Sequence, residues 1–478
     1  MAKSRLSNAL VPSMIALAIT VGWSVFAYPA DGFLRTLAFL IAVLGGGIVL
    51  IRRTSTRLED PSLLKLQFVF LGKIALLLLL SFSWDHTLRN ERAVLQGDQE
   101  RYYHQAVDVG RAGLTPSAIA RIIQNINYPG IIYIYGAVLR VFGENVFCVA
   151  LFNGLATLVT VLLLARLCYR LKPDRGRHDW LIGLSMLLPD IIACDVMTSR
   201  DTLAMSLLSI AVLLVALQLL DPSPQSWIPP LLVAASLVAL AAVRTTALIP
   251  AVASIIVLLL KYRARMRMAT VVAAVVIAVA FLMVAPGLSH SLGGYKMTYM
   301  QILSVTVVNP DGRLINGFTW SDRSIGRLLV PRSLPHAILL SIPRMMAYLI
   351  VPLPRVKIDG QALLAGDWMM IQEILAASSS VLYLALFPLA LVALYRSIAK
   401  KDSTLALVAP FWLTFITIAS GTAILQARYR VMALPFLCGC IWLGRAGSRR
   451  QIAVAYGVWT AMLGAAVSAA VLYKYILV

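Results

Sequence analysis

Charge is scarce in this chain. Asp, Glu, Lys and Arg make up 13% of its 478 residues, about half the share of an ordinary soluble domain. Sixty per cent of the residues are hydrophobic and the mean hydropathy is +0.83. A soluble globular protein is excluded, because there is too little polar surface to cover a core of this size. Acids are scarcer still, 21 against 42 Lys and Arg. The five cysteines, Cys148, Cys168, Cys194, Cys438 and Cys440, all lie in or beside apolar runs. They read as small packing residues rather than a disulfide framework or metal cluster. Period-two alternation is missing from the apolar runs, which excludes a membrane β-barrel. No internal repeat, low-complexity tract, phosphate-cradling glycine motif or N-x-Ser/Thr acceptor occurs, and the last absence favours a bacterial inner membrane over a glycosylating compartment.

What is present is a succession of apolar runs of roughly 17–25 residues, each able to cross about 30 Å of hydrocarbon as a helix. The fold class is an all-α polytopic bundle in a single integral membrane domain, 1–478. The net charge of +21 does not indicate nucleic acid, because the bases sit in short clusters at span ends: Arg52/Arg53/Arg57, Arg166 to Arg177, Lys261 to Arg267, Lys400/Lys401 and Arg445 to Arg450. Such clusters face the cytoplasm. With the N-terminal segment kept as a first span, thirteen spans are predicted near 9–28, 33–51, 63–83, 145–170, 180–198, 202–220, 227–243, 245–261, 268–286, 373–397, 404–424, 431–446 and 453–475. The apolar stretches 127–143 and 336–353 cannot cross without inverting a basic cluster, so both are predicted to lie at the outer interface. Gly45-Gly46-Gly47 is predicted to allow close helix packing.

This topology leaves two large outer loops, 84–144 and 287–372, and three tight outer turns. The first loop opens with the acids Asp85, Asp98 and Glu100. The turns carry Arg200-Asp201, Arg244, and Arg428-Tyr429-Arg430. Short outer turns ordinarily avoid arginine, and guanidinium forks bind phosphate bidentately. Acids, arginines and aromatics at one membrane face suit a substrate linked to a lipid phosphate.

Four segments also resemble a known family. They are Asp98 to Ala106 with Tyr103-His104; Asn127-Tyr128-Pro129-Gly130 through Phe142-Gly143, leading to Asn153; Pro189 followed by Ser199-Arg200-Asp201; and Arg428-Tyr429-Arg430 with Pro435. In this order they are similar to motifs of GT-C membrane glycosyltransferases, relatives of the protein O-mannosyltransferases and aminoarabinose transferases, including bacterial exopolysaccharide members. The chain departs from many of these relatives in placing Gln99 between its two acids and in having two spans before the one that feeds the first loop. The resemblance implies transfer of a sugar from a polyprenyl phosphate to a glycan, lipid or protein acceptor at the periplasmic face.

In that chemistry an acceptor hydroxyl needs a general base. Asp98 is the first choice, with Glu100 and Asp85 behind it; the plainer roles are a bridge to Arg101 for Asp98 and a helix-end partner for Asp85. Arg428, Arg430, Arg200 and Arg244 are the candidates to stabilise the departing phosphate, against interfacial ion pairing. Tyr102, Tyr103 and Tyr128 are candidates for the substrate channel, against an aromatic belt. His86 and His104 have no second histidine at metal-ligand spacing, so no cofactor is expected, although a divalent ion at Glu100 stays open. Two other classes remain. An envelope polysaccharide polymerase or ligase would also be polytopic with arginine-rich outer loops. A lipid or solute transporter would use charges within its spans, of which Arg35, Lys73, Asp190 and Asp195 stand out.

Overall fold

The computed structural model describes residues 30–58, 61–89, 98–113, 129–171, 179–220, 228–262, 340–350, 359–400, 404–421 and 427–472. These are about 93% helical and contain no strand. Among the described residues, five helices are long and apolar enough to cross a membrane: Leu34–Leu58, Leu63–His86, Val146–Leu171, Arg200–Leu220 and Trp368–Ala399. The predicted spans 9–28 and 268–286, Tyr128, and most of the second outer loop lie outside the described residues.

In chain order the helices are α1 (Ala30–Leu58), α2 (Leu66–Arg89), α3 (Asp98–Ala112), α4 (Pro129–Phe142), α5 (Val146–Leu171), α6 (Asp179–Leu184), α7 (Pro189–Val196), α8 (Arg200–Leu220), α9 (Ile228–Val243), α10 (Leu248–Lys261), α11 (Ser341–Ile350), α12 (Gly360–Leu364), α13 (Trp368–Lys400), α14 (Leu405–Gly421), α15 (Leu434–Gly444) and α16 (Arg449–Leu472). α5 and α8 form the centre and are the most deeply buried of the long helices, whereas α1 and α13 keep apolar residues such as Leu34, Ile41, Val381 and Tyr395 on the outside. Apolar side chains are needed on both sides of such helices, inward for packing and outward for lipid. Gly47, but not Gly45 or Gly46, lies at a helix contact: a Cβ there would run into the Phe70 ring and come within 3.1 Å of Leu158.

The predicted span 180–198 is not one helix. It divides into α6, a 3-10 turn at Ser185–Leu187, and α7, with Leu188 extended at φ −57°, ψ 130° and Met197 extended at φ −75°, ψ 150°. Pro189 is the cause. Its ring disfavours the α region for the residue before it and it has no N–H to continue the helix. The stretches 245–261 and 431–446 likewise begin as 3-10 turns, Thr245–Ala247 and Ala427–Ala433.

α4 has 14 residues, a length of about 21 Å that falls short of the hydrocarbon thickness. It packs on α3 on one side and on α9, α1 and α5 on the others. The α3–α4 contact is close, since a Cβ on Gly136 would come within 3.1 Å of the Ala106 carbonyl and one on Gly110 within 3.1 Å of the Gly136 carbonyl. α11 does not rest on the surface with its charge in water, as a simple interfacial helix would. It buries Arg344, Met345, Tyr348 and Leu349 against α13, α14 and the Ala427–Ala433 turn.

Turns that the charge rule assigns to one face are also neighbours in space. Asn145 donates to Thr36 Oγ1 at 2.6 Å, joining the start of α5 to α1. Ser83 near the end of α2 donates to the Gly366 carbonyl, and Trp84 packs on Trp368 at 5.9 Å between ring centroids. At the opposite end Arg396 Nη1 donates to the Leu443 carbonyl at 3.2 Å.

Candidate functional site

Three carboxylates sit on the broken segment and the helix after it: Asp190 and Asp195 in α7, and Asp201 in the first turn of α8. All three are buried. An unpaired charge in such surroundings costs several kcal/mol, so each needs a cation and hydrogen bonds. Each has them, in three different ways.

Asp190 is held by Arg430, whose Nε donates to Oδ2 at 2.5 Å and Nη2 to Oδ1 at 3.2 Å. Tyr383 adds its hydroxyl at 3.0 Å. The remaining Arg430 donors reach the Tyr348 carbonyl at 2.8 Å, Ser380 Oγ at 2.9 Å and the Ala376 carbonyl at 2.8 Å. All five guanidinium N–H groups are thus engaged within the protein, linking α7, α11 and α13 to the Ala427–Ala433 turn.

Asp195 is ion-paired with Lys73 of α2, both side chains fully buried. Lys73 Nζ also donates to the Met186 carbonyl at 3.2 Å. One ammonium therefore ties the two halves of the broken segment, and it supplies a partner to a carbonyl at the break. Thr157 donates to the Asp195 carboxylate at 3.1–3.2 Å.

Asp201 sits where the turn into α8 meets two others. Arg244, at the end of α9, donates to its Oδ1, and Arg428 Nε stands 3.8 Å from Oδ2. Ser199 Oγ donates to Oδ2 at 2.9 Å and accepts the Asp201 N–H at 3.1 Å, a local turn that opens α8. Tyr429 lies under both guanidinium groups, 4.8 Å from Arg244 Cζ and 5.4 Å from Arg428 Cζ. Residues two apart on a 3-10 turn point about 120° apart. That is why Arg428 goes to Asp201 while Arg430 goes to Asp190. Arg428 keeps 15% of its side chain exposed against 1% for Arg430. Arg200, half-buried, adjoins Asp201 as the first residue of α8.

The first-loop helix docks onto this turn. Asp98 is the first residue of α3, and the Gln99 carbonyl beside it accepts a hydrogen bond from Thr198 Oγ1 at 2.5 Å. The side chain of Asp98 lies outside the described residues, but the carbonyl next to it in sequence is bonded to the turn that leads into Arg200-Asp201. Glu100 is half-exposed and 3.9 Å from His104 Nε2 within α3. Asp85 is half-buried in the last turn of α2, next to the Trp84–Trp368 contact. Tyr102 is buried in the core and Tyr103 donates to the Glu144 carbonyl at 3.3 Å, so both help seat α3 on the bundle. Arg111 grips Glu144 with three contacts of 2.6–2.9 Å, in water at the loop surface. The hydrogen bonds it donates to the Glu144 carboxylate hold its guanidinium above the usual arginine range.

The sequence therefore points to the turns that meet, Arg200, Arg244 and Arg428, and the structure adds Asp201 as the carboxylate they share. Arg430 is two residues from Arg428 in sequence yet serves a different, closed centre. Among the described residues no three His, Cys, Asp or Glu side chains converge as metal ligands. Chemically, the outer cluster is a set of guanidinium groups with one carboxylate between them, fitted to an anionic oxygen group arriving from the exposed side of Arg428. Comparison with protein-family models, curated proteins and solved structures gives no match for this chain.

Proposed function

We propose that this chain is a GT-C type glycosyltransferase that moves a sugar from a polyprenyl phosphate to an envelope glycan, lipid or protein, at the periplasmic face of a bacterial inner membrane. One observation carries this reading. The Thr198–Gln99 hydrogen bond sets the acidic end of α3 against the turn where Arg200, Arg244, Arg428 and Asp201 meet. A base for an acceptor and cations for a phosphate are the two groups that such a transfer needs in one place.

In the reaction the acceptor hydroxyl oxygen forms a bond to the anomeric carbon as the carbon–oxygen bond to phosphate breaks. Asp98 takes the hydroxyl proton, and the phosphate leaves with the bonding electron pair and one more negative charge. Arg428, Arg244 and Arg200 hold that charge, Tyr429 fixes the first two on its ring, and Asp201 keeps them apart and oriented. Arg430 binds no substrate in this scheme. It locks the turn from which Arg428 projects.

Transport is the second reading, favoured by the break at Ser185–Pro189 with two acids beside it, the form of discontinuous transporter helices. Both acids, however, are matched with internal cations. Sugar transfer by the purified protein in nanodiscs, from radiolabelled polyprenyl-phosphate sugars to envelope extracts, separates the two. The proposal expects transfer that Asp98→Asn abolishes with folding intact. No transfer from any donor would overturn it in favour of transport or polymerisation.

A further inference from the structure

The turn that carries Ser199, Arg200 and Asp201 follows extended Met197 and has few helical hydrogen bonds of its own. Its geometry must come from what surrounds it. A continuous line of buried polar groups reaches it from deep in the bundle. Lys73 pairs with Asp195 and holds the Met186 carbonyl. Asn153, one helical turn before Thr157 on α5 and so on the same face, donates to the Asp195 carbonyl at 3.0 Å and to the Met197 carbonyl at 3.4 Å. Its Oδ1 meets the Tyr135 hydroxyl at 3.0 Å, and that hydroxyl lies 2.8 Å from the Ser199 carbonyl. Ser199 then holds Asp201. Lys73, Asp195, Asn153, Tyr135, Ser199 and Asp201 are each at most 1% exposed. No water competes along this line, and the one Tyr135 hydroxyl proton is shared between two acceptors, Asn153 Oδ1 and the nearer Ser199 carbonyl.

We propose that Tyr135 and Asn153 are positioning residues, anchored by the Lys73–Asp195 pair, that set the Ser199–Asp201 turn against the first-loop helix. The inference rests on the glycosyltransferase reading only for what the turn does, not for how it is held. It gives a role to the one charge in the apolar stretch 68–80 of α2. The ammonium fixes both sides of the helix break, and the break aims the turn.

The test uses the full-length protein in nanodiscs, with Thr198 and Gln99 left in place, and follows hydrogen–deuterium exchange of the backbone amides at 198–201 and at the start of α3 by mass spectrometry. Tyr135→Phe keeps the ring and removes only the hydroxyl. It should speed exchange at both segments roughly tenfold, the change one lost buried hydrogen bond brings, and raise the donor KM by about the same factor with little change in kcat. Unchanged exchange in Tyr135→Phe would overturn the proposal. Lys73→Met should speed it at least as much, and if that variant does not fold, Tyr135→Phe decides alone. Failure of sugar transfer in every variant would count against the glycosyltransferase reading while leaving the exchange result to judge this one.

Discussion

Asp190 and Asp201 stand eleven positions apart and both answer to arginines of a single 3-10 turn, yet they are built for opposite ends. Around Asp190 one guanidinium meets one carboxylate, and all five of its N–H donors are engaged by α7, α11 and α13. Around Asp201 two guanidinium groups lie within ion-pair distance of one carboxylate, and Arg428 reaches the outside. A saturated pair in low dielectric is a structural bolt, because any ligand would first have to break it. A shared carboxylate with a partly exposed arginine is a site that can reorganise around an incoming anion. The lesson is that two arginines of one turn part company by exposure and by the carboxylate each serves: Arg430 is sealed against Asp190, whereas Arg428 shares Asp201 with Arg244 and keeps part of its side chain exposed.

Breaking the closed centre should have the largest effect. Arg430→Ala leaves Asp190 buried without its cation, a loss of about 3–5 kcal/mol, and the expected result is failure to recover a monodisperse protein in detergent. Arg430→Lys should not restore it, since an ammonium has three donors and cannot replace the planar fork. Next comes the Lys73–Asp195 pair. Lys73→Met alone should destabilise by a similar amount, whereas Lys73→Met with Asp195→Leu should recover most of the unfolding midpoint, because apolar groups can replace a matched buried pair. A double variant no more stable than the single one would show that the pair is not the unit.

At the open centre the effects should separate. Arg428→Ala should keep the unfolding midpoint within a few degrees while lowering transfer about 10²–10³-fold, the cost of one cationic donor at a developing charge. Loss of folding in this variant would erase the contrast with Arg430. The smallest effect belongs to the exposed Arg111–Glu144 pair. Glu144→Gln should leave the midpoint unchanged at physiological salt, as solvent screens such contacts.

Much of the helix bundle is legible in the sequence because apolar run length is a direct physical demand of the bilayer. α1, α2, α5, α8 and α13 fall where their runs predict. The break in 180–198 was readable from Pro189 but is masked by the continuous hydrophobicity on both sides, which continues because both halves are buried. Arg200, Arg244 and Arg428 stand out in the sequence as arginines in short turns, and the fold brings those turns together around Asp201. What the sequence does not separate is Arg428 from Arg430, since their divergence depends on the 3-10 form of that turn. The partners of Asp195 and Asp190, at Lys73 and Arg430, are 122 and 240 positions away, and no local pattern connects them.

In the proposed reaction the Asp201 cluster receives a phosphate while the Asp190 centre stays closed. Arginine-directed labelling with phenylglyoxal, mapped by mass spectrometry on the protein in nanodiscs with and without polyprenyl phosphate, distinguishes the two centres. Arg428 should be labelled and become protected by the lipid phosphate, with Arg430 unlabelled in both states. Labelling of Arg428 that polyprenyl phosphate leaves unchanged, or protection that appears at Arg430 instead, would contradict it.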